Sequence, residues 1–273
     1  MQVDKVPLTM RKLSEDLYQI EGSGAEYAYL LLGTQRAALI DTCAGYGSIK
    51  QLVEQVTGLP LLVLNTHGHV DHAGGNYDFD EVYLHKEDWG LARSETTVEH
   101  RIWFLQKVAA ETGKTVEVHQ EWLRPPNNVR ILELEDGMVF PLGEVQLEAI
   151  HTPGHTRGCV SFLDRRYKRL FGGDSFHSQV QLFFPYSAPV EVYAQSIQRI
   201  QGLSTEFEGI YGGHGAVPLG LGCLEDLEDC CERALTGEPA VILPEGVGLA
   251  YPQNAEGQRT DGRIGNLYYR LSN

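Results

Sequence analysis

Three histidines and an aspartate stand within six positions, His67, His69, Asp71 and His72, in the stretch Thr66-His67-Gly68-His69-Val70-Asp71-His72-Ala73-Gly74-Gly75. No packing requirement asks for such a cluster. Neutral imidazole is the commonest metal ligand, and carboxylate is the natural oxygen partner for a borderline cation, so the chemistry these residues offer is metal binding. The run before them, Pro60-Leu61-Leu62-Val63-Leu64, has the apolar, partly β-branched composition of a buried strand and stops at Asn65-Thr66. Ligands issuing from the end of a rigid strand are held better than ligands on a free loop.

The elements that must hold this stretch follow from pattern. Leu17–Ile20, Tyr27–Leu32 and Ala37–Ile40 alternate with glycine turns and predict a β-rich opening. Asp41-Thr42-Cys43 closes the third strand, and Ile49, Leu52, Val53 and Val56 recur at helical spacing before Gly58-Leu59-Pro60 ends the helix. Strand, helix and ligand-bearing strand form a βαβ unit. Glu81–Leu84 predicts a further strand and Lys86–Ala92 a short helix. Residues 95–124 place Val98, Ile102, Leu105, Val108 and Ala109 on one helical face, with Trp103, Phe104 and Trp122 beside it, and predict a helical insertion ended by Pro125-Pro126. It is either an ordinary packed helix or a wall over a substrate.

From Val129 the pattern returns to strands, through Arg130–Leu134, Met138–Phe140, Val145–Ile150, Gly158–Leu163 and Lys168–Phe171. A helix is expected from Pro189 to Leu203 with Ser187 as its cap and Tyr193, Ile197, Ile200 and Leu203 on one face. Gly209-Ile210-Tyr211 and then a helix over Leu224–Leu235 follow, and Asn266–Leu271 is expected as a last edge strand. No linker or low-complexity block divides the chain, so a single domain over residues 1–273 is expected, built from two β-then-α halves.

A formal net charge of −15 opposes attraction to nucleic acid phosphates or anionic membranes. No apolar run reaches bilayer length and the N-terminus has no apolar leader core, so a cytoplasmic protein is expected, acting on a small molecule. The cysteines, Cys43, Cys159, Cys223, Cys230 and Cys231, are odd in number and lack C-x-x-C spacing, which predicts reduced thiols, neither a disulfide framework nor a thiolate zinc site.

The sequence His-x-His-x-Asp-His resembles the signature of the metallo-β-lactamase superfamily. That resemblance implies three more ligands, and the chain offers each: His155 in Thr152-Pro153-Gly154-His155-Thr156, Asp174 in Gly172-Gly173-Asp174, and His214 in Gly212-Gly213-His214. It further implies an α+β fold, a four-layer αββα sandwich, with His67, His69 and His155 on one metal, Asp71, His72 and His214 on a second, and Asp174 bridging both. The cofactor would be two divalent ions, zinc with iron or manganese as alternatives, sharing a hydroxide that hydrolyses an ester-type bond. Asp41 matches the early aspartate that orients a ligand histidine. His177, three residues past Asp174, is a candidate proton donor or substrate contact; His151 is expected to pack or meet solvent, and His85, His100 and His119 to lie at the surface.

Departures narrow the branch. A cysteine where Asp174 stands would resemble the lactam hydrolases, and a glutamate in place of His69 the di-iron flavoprotein reductases; the pattern is most similar to glyoxalase II and lactonase-type hydrolases. The aromatic insertion and Leu182-Phe183-Phe184-Pro185-Tyr186 suit an uncharged lactone or thioester better than a polyanion. Competing expectations are an iron-dependent persulfide dioxygenase, a phosphodiesterase, and a non-catalytic sensor. A homodimer through the insertion is a further expectation.

Overall fold

A computed structural model describes residues 8–111, 118–123, 128–237, 239 and 241–271. The chain divides into two compact units, one of Met1–Leu134 with Val139–Leu147, the other of Glu135–Met138 with Glu148–Asn273.

In the first unit, strands β1 (Thr9–Lys12), β2 (Leu17–Glu21), β3 (Tyr27–Leu32), β4 (Ala37–Ile40), β5 (Leu61–Leu64), β6 (Glu81–Leu84) and β7 (Arg130–Glu133) form one sheet in sequence order. The first four pair antiparallel through short turns; β4-β5, β5-β6 and β6-β7 are parallel. Parallel neighbours need crossovers. Helix α1 (Ile49–Glu54), capped by Ser48 Oγ accepting from Gln51 N–H, supplies the first, and α2 (Val70–Ala73) lies on the second. Ile20, Leu30, Leu39, Ile49, Val53, Val63 and Val82 form the core between sheet and helices. Each such side chain contributes about 1.5–3 kcal/mol on burial.

Where Lys86–Ala92 was expected to be one helix, Lys86–Asp88 is a 3-10 turn and helix α3 runs over Trp89–Glu95. The buried Asp88 carboxylate explains the break, because it accepts the Gly68 N–H at 2.9 Å and is drawn to the ligand stretch. Within the expected insertion, helix α4 (Val98–Glu111) buries Leu105 and packs with Tyr46, Leu123 and Trp122. Residues 112–117 of the insertion and the Pro125-Pro126 stop lie outside the described residues. Strand β8 (Val139–Pro141) completes this unit's elements, with Phe140 edge-on to Tyr83.

The second unit holds β9 (Gln146–His151) from Glu148 onward, β10 (Val160–Asp164), β11 (Arg169–Gly173), β12 (Gln179–Leu182), helix α5 (Val190–Gln201), β13 (Gly209–Gly212), helix α6 (Gly222–Leu235), β14 (Val241–Leu243), β15 (Val247–Leu249) and β16 (Asn266–Arg270). One sheet has the order β13-β11-β10-β9 within this unit, and a smaller one β12-β16-β15-β14. Tyr193, Ile197 and Ile200 of α5 and Leu224, Leu227, Cys230 and Cys231 of α6 recur at three- and four-residue spacing and fill the core shared with Leu163, Leu170, Phe176 and Ile210.

Two expectations are corrected here. Ser187 does not cap α5: Pro189 occupies that position with no side-chain bond, and Ser187 Oγ donates to the His155 carbonyl at 2.8 Å. Asn266–Leu271 does not form an edge strand. β16 is interior, parallel to β12 and antiparallel to β15, because the short strand β12, which follows Asp174, offers it a second partner. Among the described residues, no helix is long and apolar enough to cross a membrane.

Candidate metal centre

Each unit gathers its ligand-type residues at the carboxyl ends of its own strands. In the first, β4 and β5 are parallel and in register at Ile40 and Leu64, so the residues that follow, Asp41 and Asn65-Thr66-His67, start side by side. The Asp41 N–H bonds the Leu64 carbonyl at 2.9 Å. The turn into α2 then brings back His69, Asp71 and His72. Gly75 is required just beyond, since a Cβ there would lie 2.2 Å from the Thr42 carbonyl oxygen.

Hydrogen bonds in this half fix the imidazole tautomers. Asp41 accepts the Thr66 N–H and the Thr66 hydroxyl, both at 2.7 Å, and its Oδ2 also takes His72 Nδ1 at 2.8 Å. His72 therefore carries its proton on Nδ1 and turns Nε2 away as a lone pair. The Thr66 hydroxyl has one hydrogen, spent on Asp41; its oxygen accepts from His67 Nδ1 at 3.1 Å. That leaves His67 Nε2 as a lone pair, 2.9 Å from His69 Nδ1. His67, His72 and Asp41 are at most 2% exposed, and the His67 and His72 rings lie 4.1 Å apart.

In the second unit, β9 and β11 both run antiparallel to β10, and β11 is parallel to β13 with Gly173 opposite Gly212. His155, Asp174 and His214 thus leave the same end of one sheet. Gly154 is needed before His155, because a Cβ there would lie 2.3 Å from the Tyr193 ring. That ring cannot swing aside, for its hydroxyl donates to the Ser175 carbonyl at 2.6 Å. His155 Nδ1 meets the Gln181 carbonyl at 2.8 Å, and a carbonyl only accepts, so Nδ1 holds the proton and Nε2 is the lone pair.

The donor set fits a metal. Asp174 Oδ2 lies 3.5 Å from His155 Nε2 and 3.6 Å from His214 Nε2, and Asp71 Oδ2 lies 3.8 Å from His72 Nε2. These separations are long for hydrogen bonds. Two donors each about 2.1 Å from a shared ion in tetrahedral geometry stand about 3.4 Å apart. Each unit therefore presents nitrogen and oxygen atoms spaced as ligands of a common ion.

His177 is 6% exposed, with its ring centroid 5.9 Å from that of His214. His151 ends β9 and its Nε2 pairs with the Arg157 carbonyl. His85, His100 and His119 are half-buried; burial lowers the His100 pKa below its usual value, only partly offset by Asp71. Sequence reasoning gave no role to Thr66, although it adjoins His67, nor to Gln181, whose part is played by a backbone oxygen. Phe184 packs edge-on to His155 at 5.7 Å and stacks on Tyr186 at 5.3 Å.

A family model described as the metallo-beta-lactamase superfamily matches residues 22–214. The acyl-coenzyme A thioesterase MBLAC2 of Gallus gallus is 31% identical over 186 residues, covering 64% of this chain and 66% of that protein. The probable hydroxyacylglutathione hydrolase glo2 of Schizosaccharomyces pombe is 28% identical over 186 residues, covering 65% and 60% respectively. Among solved structures, TTHA1623 in a di-iron-bound form is 29% identical with a TM-score of 0.51, covering 72% of this chain and 91% of that one. The matches span about two thirds or less of the length of these curated relatives.

Proposed function

Because the chain belongs to the metallo-β-lactamase superfamily and has its α+β fold, we propose that it is a metal-dependent hydrolase of small thioesters. The observation that carries the reading is the tautomer pattern: Asp41, Thr66 and the Gln181 carbonyl hold the Nδ1 protons of His72, His67 and His155, so that all three Nε2 atoms are lone pairs. The named activities of the relatives support thioester hydrolysis over the lactone and phosphodiester alternatives.

In this proposal residues 1–273 act as one catalytic domain carrying a binuclear ligand set. His67, His69 and His155 would hold one ion, Asp71, His72 and His214 the other, and Asp174 would serve both. The ions are zinc, with iron as the competitor that the di-iron structure supports. Bound there, they would supply Lewis acidity to a thioester carbonyl and acidify a water at neutral pH. Asp174 would orient that water and take up its proton as the water oxygen adds to the carbonyl carbon. The carbon–sulfur bond then breaks, and His177 delivers a proton to the departing sulfur. Phe184 and Tyr186 beside His155 give the acyl chain an apolar surface that excludes water. Such a surface suits an uncharged acyl group, and the proposal carries with it a cytoplasmic setting and a homodimer, the latter tested by sedimentation of the purified protein.

Elemental analysis of the purified protein, paired with turnover of short acyl-thioester, lactone and phosphodiester substrates, tests this. Two equivalents of metal and preference for thioesters are expected. One iron with oxygen consumption on a persulfide would overturn it in favour of a dioxygenase.

A further inference from the structure

Two charged side chains with no part in this chemistry are wholly buried in the first unit: Glu26 and Arg101, each 0% exposed. Both aim at one loop. Glu26, in the turn between β2 and β3, accepts the Ala44 N–H at 3.0 Å through Oε1 and the Gly24 N–H at 2.7 Å through Oε2. Arg101 of α4 donates from Nη1 to the carbonyl of the next residue, Gly45, at 3.1 Å, and its guanidinium lies 5.2 Å from the Tyr77 ring. A buried anion thus holds Ala44 and a buried cation holds Gly45.

The loop they grip is one that needs holding. Its φ values are positive at every second residue: 62° at Asp41, 57° at Cys43, 71° at Gly45 and 89° at Gly47. Asp41 and Cys43 are not glycines, and side-chain-bearing residues stay in that region only where the surroundings over-determine them. Asp41 is also the residue that takes His72 Nδ1 and both Thr66 donors. Desolvating two full charges is a poor way to gain stability, since well-packed neutral residues do at least as well, so a gain in position better accounts for them.

We propose that Glu26 and Arg101 are positioning residues for the metal centre: by fixing Ala44 and Gly45 they hold the Asp41 carboxylate against His72 and Thr66. Arg101 thereby couples helix α4 to metal affinity. The turn and the helix also approach closely, for a Cβ on Gly24 would meet the Phe104 ring of α4 at 2.8 Å.

The proposal rests on the metal-centre reading above, and its test separates the two. Zinc affinity of the apoprotein, measured by competition with a chromophoric chelator, is compared in wild type, Glu26→Gln, Arg101→Lys and Val53→Ala, the last a core cavity in α1 that lowers stability but removes no hydrogen-bonding group. Glu26→Gln and Arg101→Lys are expected to weaken zinc binding by about tenfold, the low end for residues behind a ligand. Proton exchange at His72 Nδ1 in the zinc-free protein should quicken in both, while Val53→Ala leaves affinity and exchange at wild-type values. Unchanged affinity in both variants, or an equal loss in Val53→Ala, overturns the proposal. Should Arg101→Lys fail to fold, Glu26→Gln decides alone. A wild type that binds no zinc would instead sink the metal-centre reading, and this inference with it.

Discussion

Thr66→Val is the most informative single change, because valine keeps the shape and removes only the hydroxyl. That hydroxyl donates to Asp41 Oδ2 at 2.7 Å and accepts from His67 Nδ1 at 3.1 Å, and all three residues are at most 2% exposed. Losing a hydrogen bond to a charged group costs about 1.5–3 kcal/mol. Leaving the buried His67 Nδ1–H against a methyl costs about 1–3 kcal/mol more. The added methyl returns about 0.8 kcal/mol. The net expectation is about 2–5 kcal/mol of lost stability, measured by urea denaturation of the metal-free protein. The second consequence is chemical: with nothing to accept at Nδ1, the His67 proton is free to move to Nε2, which removes the lone pair facing His69. Metal affinity should then fall about 10–100-fold, read by chelator competition. Thr66→Ser, which keeps the hydroxyl, should restore most of that affinity. If Thr66→Val bound metal as tightly as wild type, the assignment of the His67 proton would be wrong.

Other perturbations follow from the same geometry. Gly154→Ala drives a Cβ into the immobilised Tyr193 ring and should cost about 1–3 kcal/mol in denaturant titrations, whereas Gly137→Ala, with open space but a φ of 77°, strains only its backbone. Burial pushes the Cys223 and Cys230 thiols up to about 12 and raises Cys43 and Cys231 well above the usual range, so these four should resist a thiol reagent at mild alkaline pH until the chain is unfolded. Partial burial works to raise the Asp136 pKa, but the Arg199 hydrogen bond, the His151 N–H and the Arg199 charge outweigh it and set it below 3.8. A lowered folded-state value stabilises above the unfolded pKa and loses that contribution as pH falls through the folded one. The stability gap between wild type and Asp136→Asn should therefore close as pH is lowered from neutrality through the carboxylate range; solvent screening keeps it under about 1 kcal/mol. Asp174→Asn should lower metal content, and retention of full metal and turnover would refute its assignment to both ions.

The ligand types and the strand ends were legible in the sequence because both are local. Val63 and Leu64 had to be buried, His67 and His69 had to be doing something other than packing, and the apolar runs of β2 to β6 and the helical spacing in α5 and α6 fell where the periodicity put them. Asp41, closing its strand, was singled out by the family resemblance. What the sequence could not show is whatever depends on a partner far along the chain or on a backbone atom. Gln181 serves His155 through a carbonyl that every residue possesses, so no side-chain signature marks it. Ser187 looked like a helix cap because a serine before an apolar helix usually is one, until His155 claimed its hydroxyl. The tail strand β16 looked terminal, and tertiary pairing with β12 made it central. Glu26 and Arg101 were unremarkable charges in the sequence; burial against a loop 18 and 56 residues away gave them their role. The sequence by itself determined which atoms are available to hold a metal. Only the tertiary structure decided where each imidazole keeps its proton, because that is set by the one hydrogen-bond partner the fold brings to the other ring nitrogen.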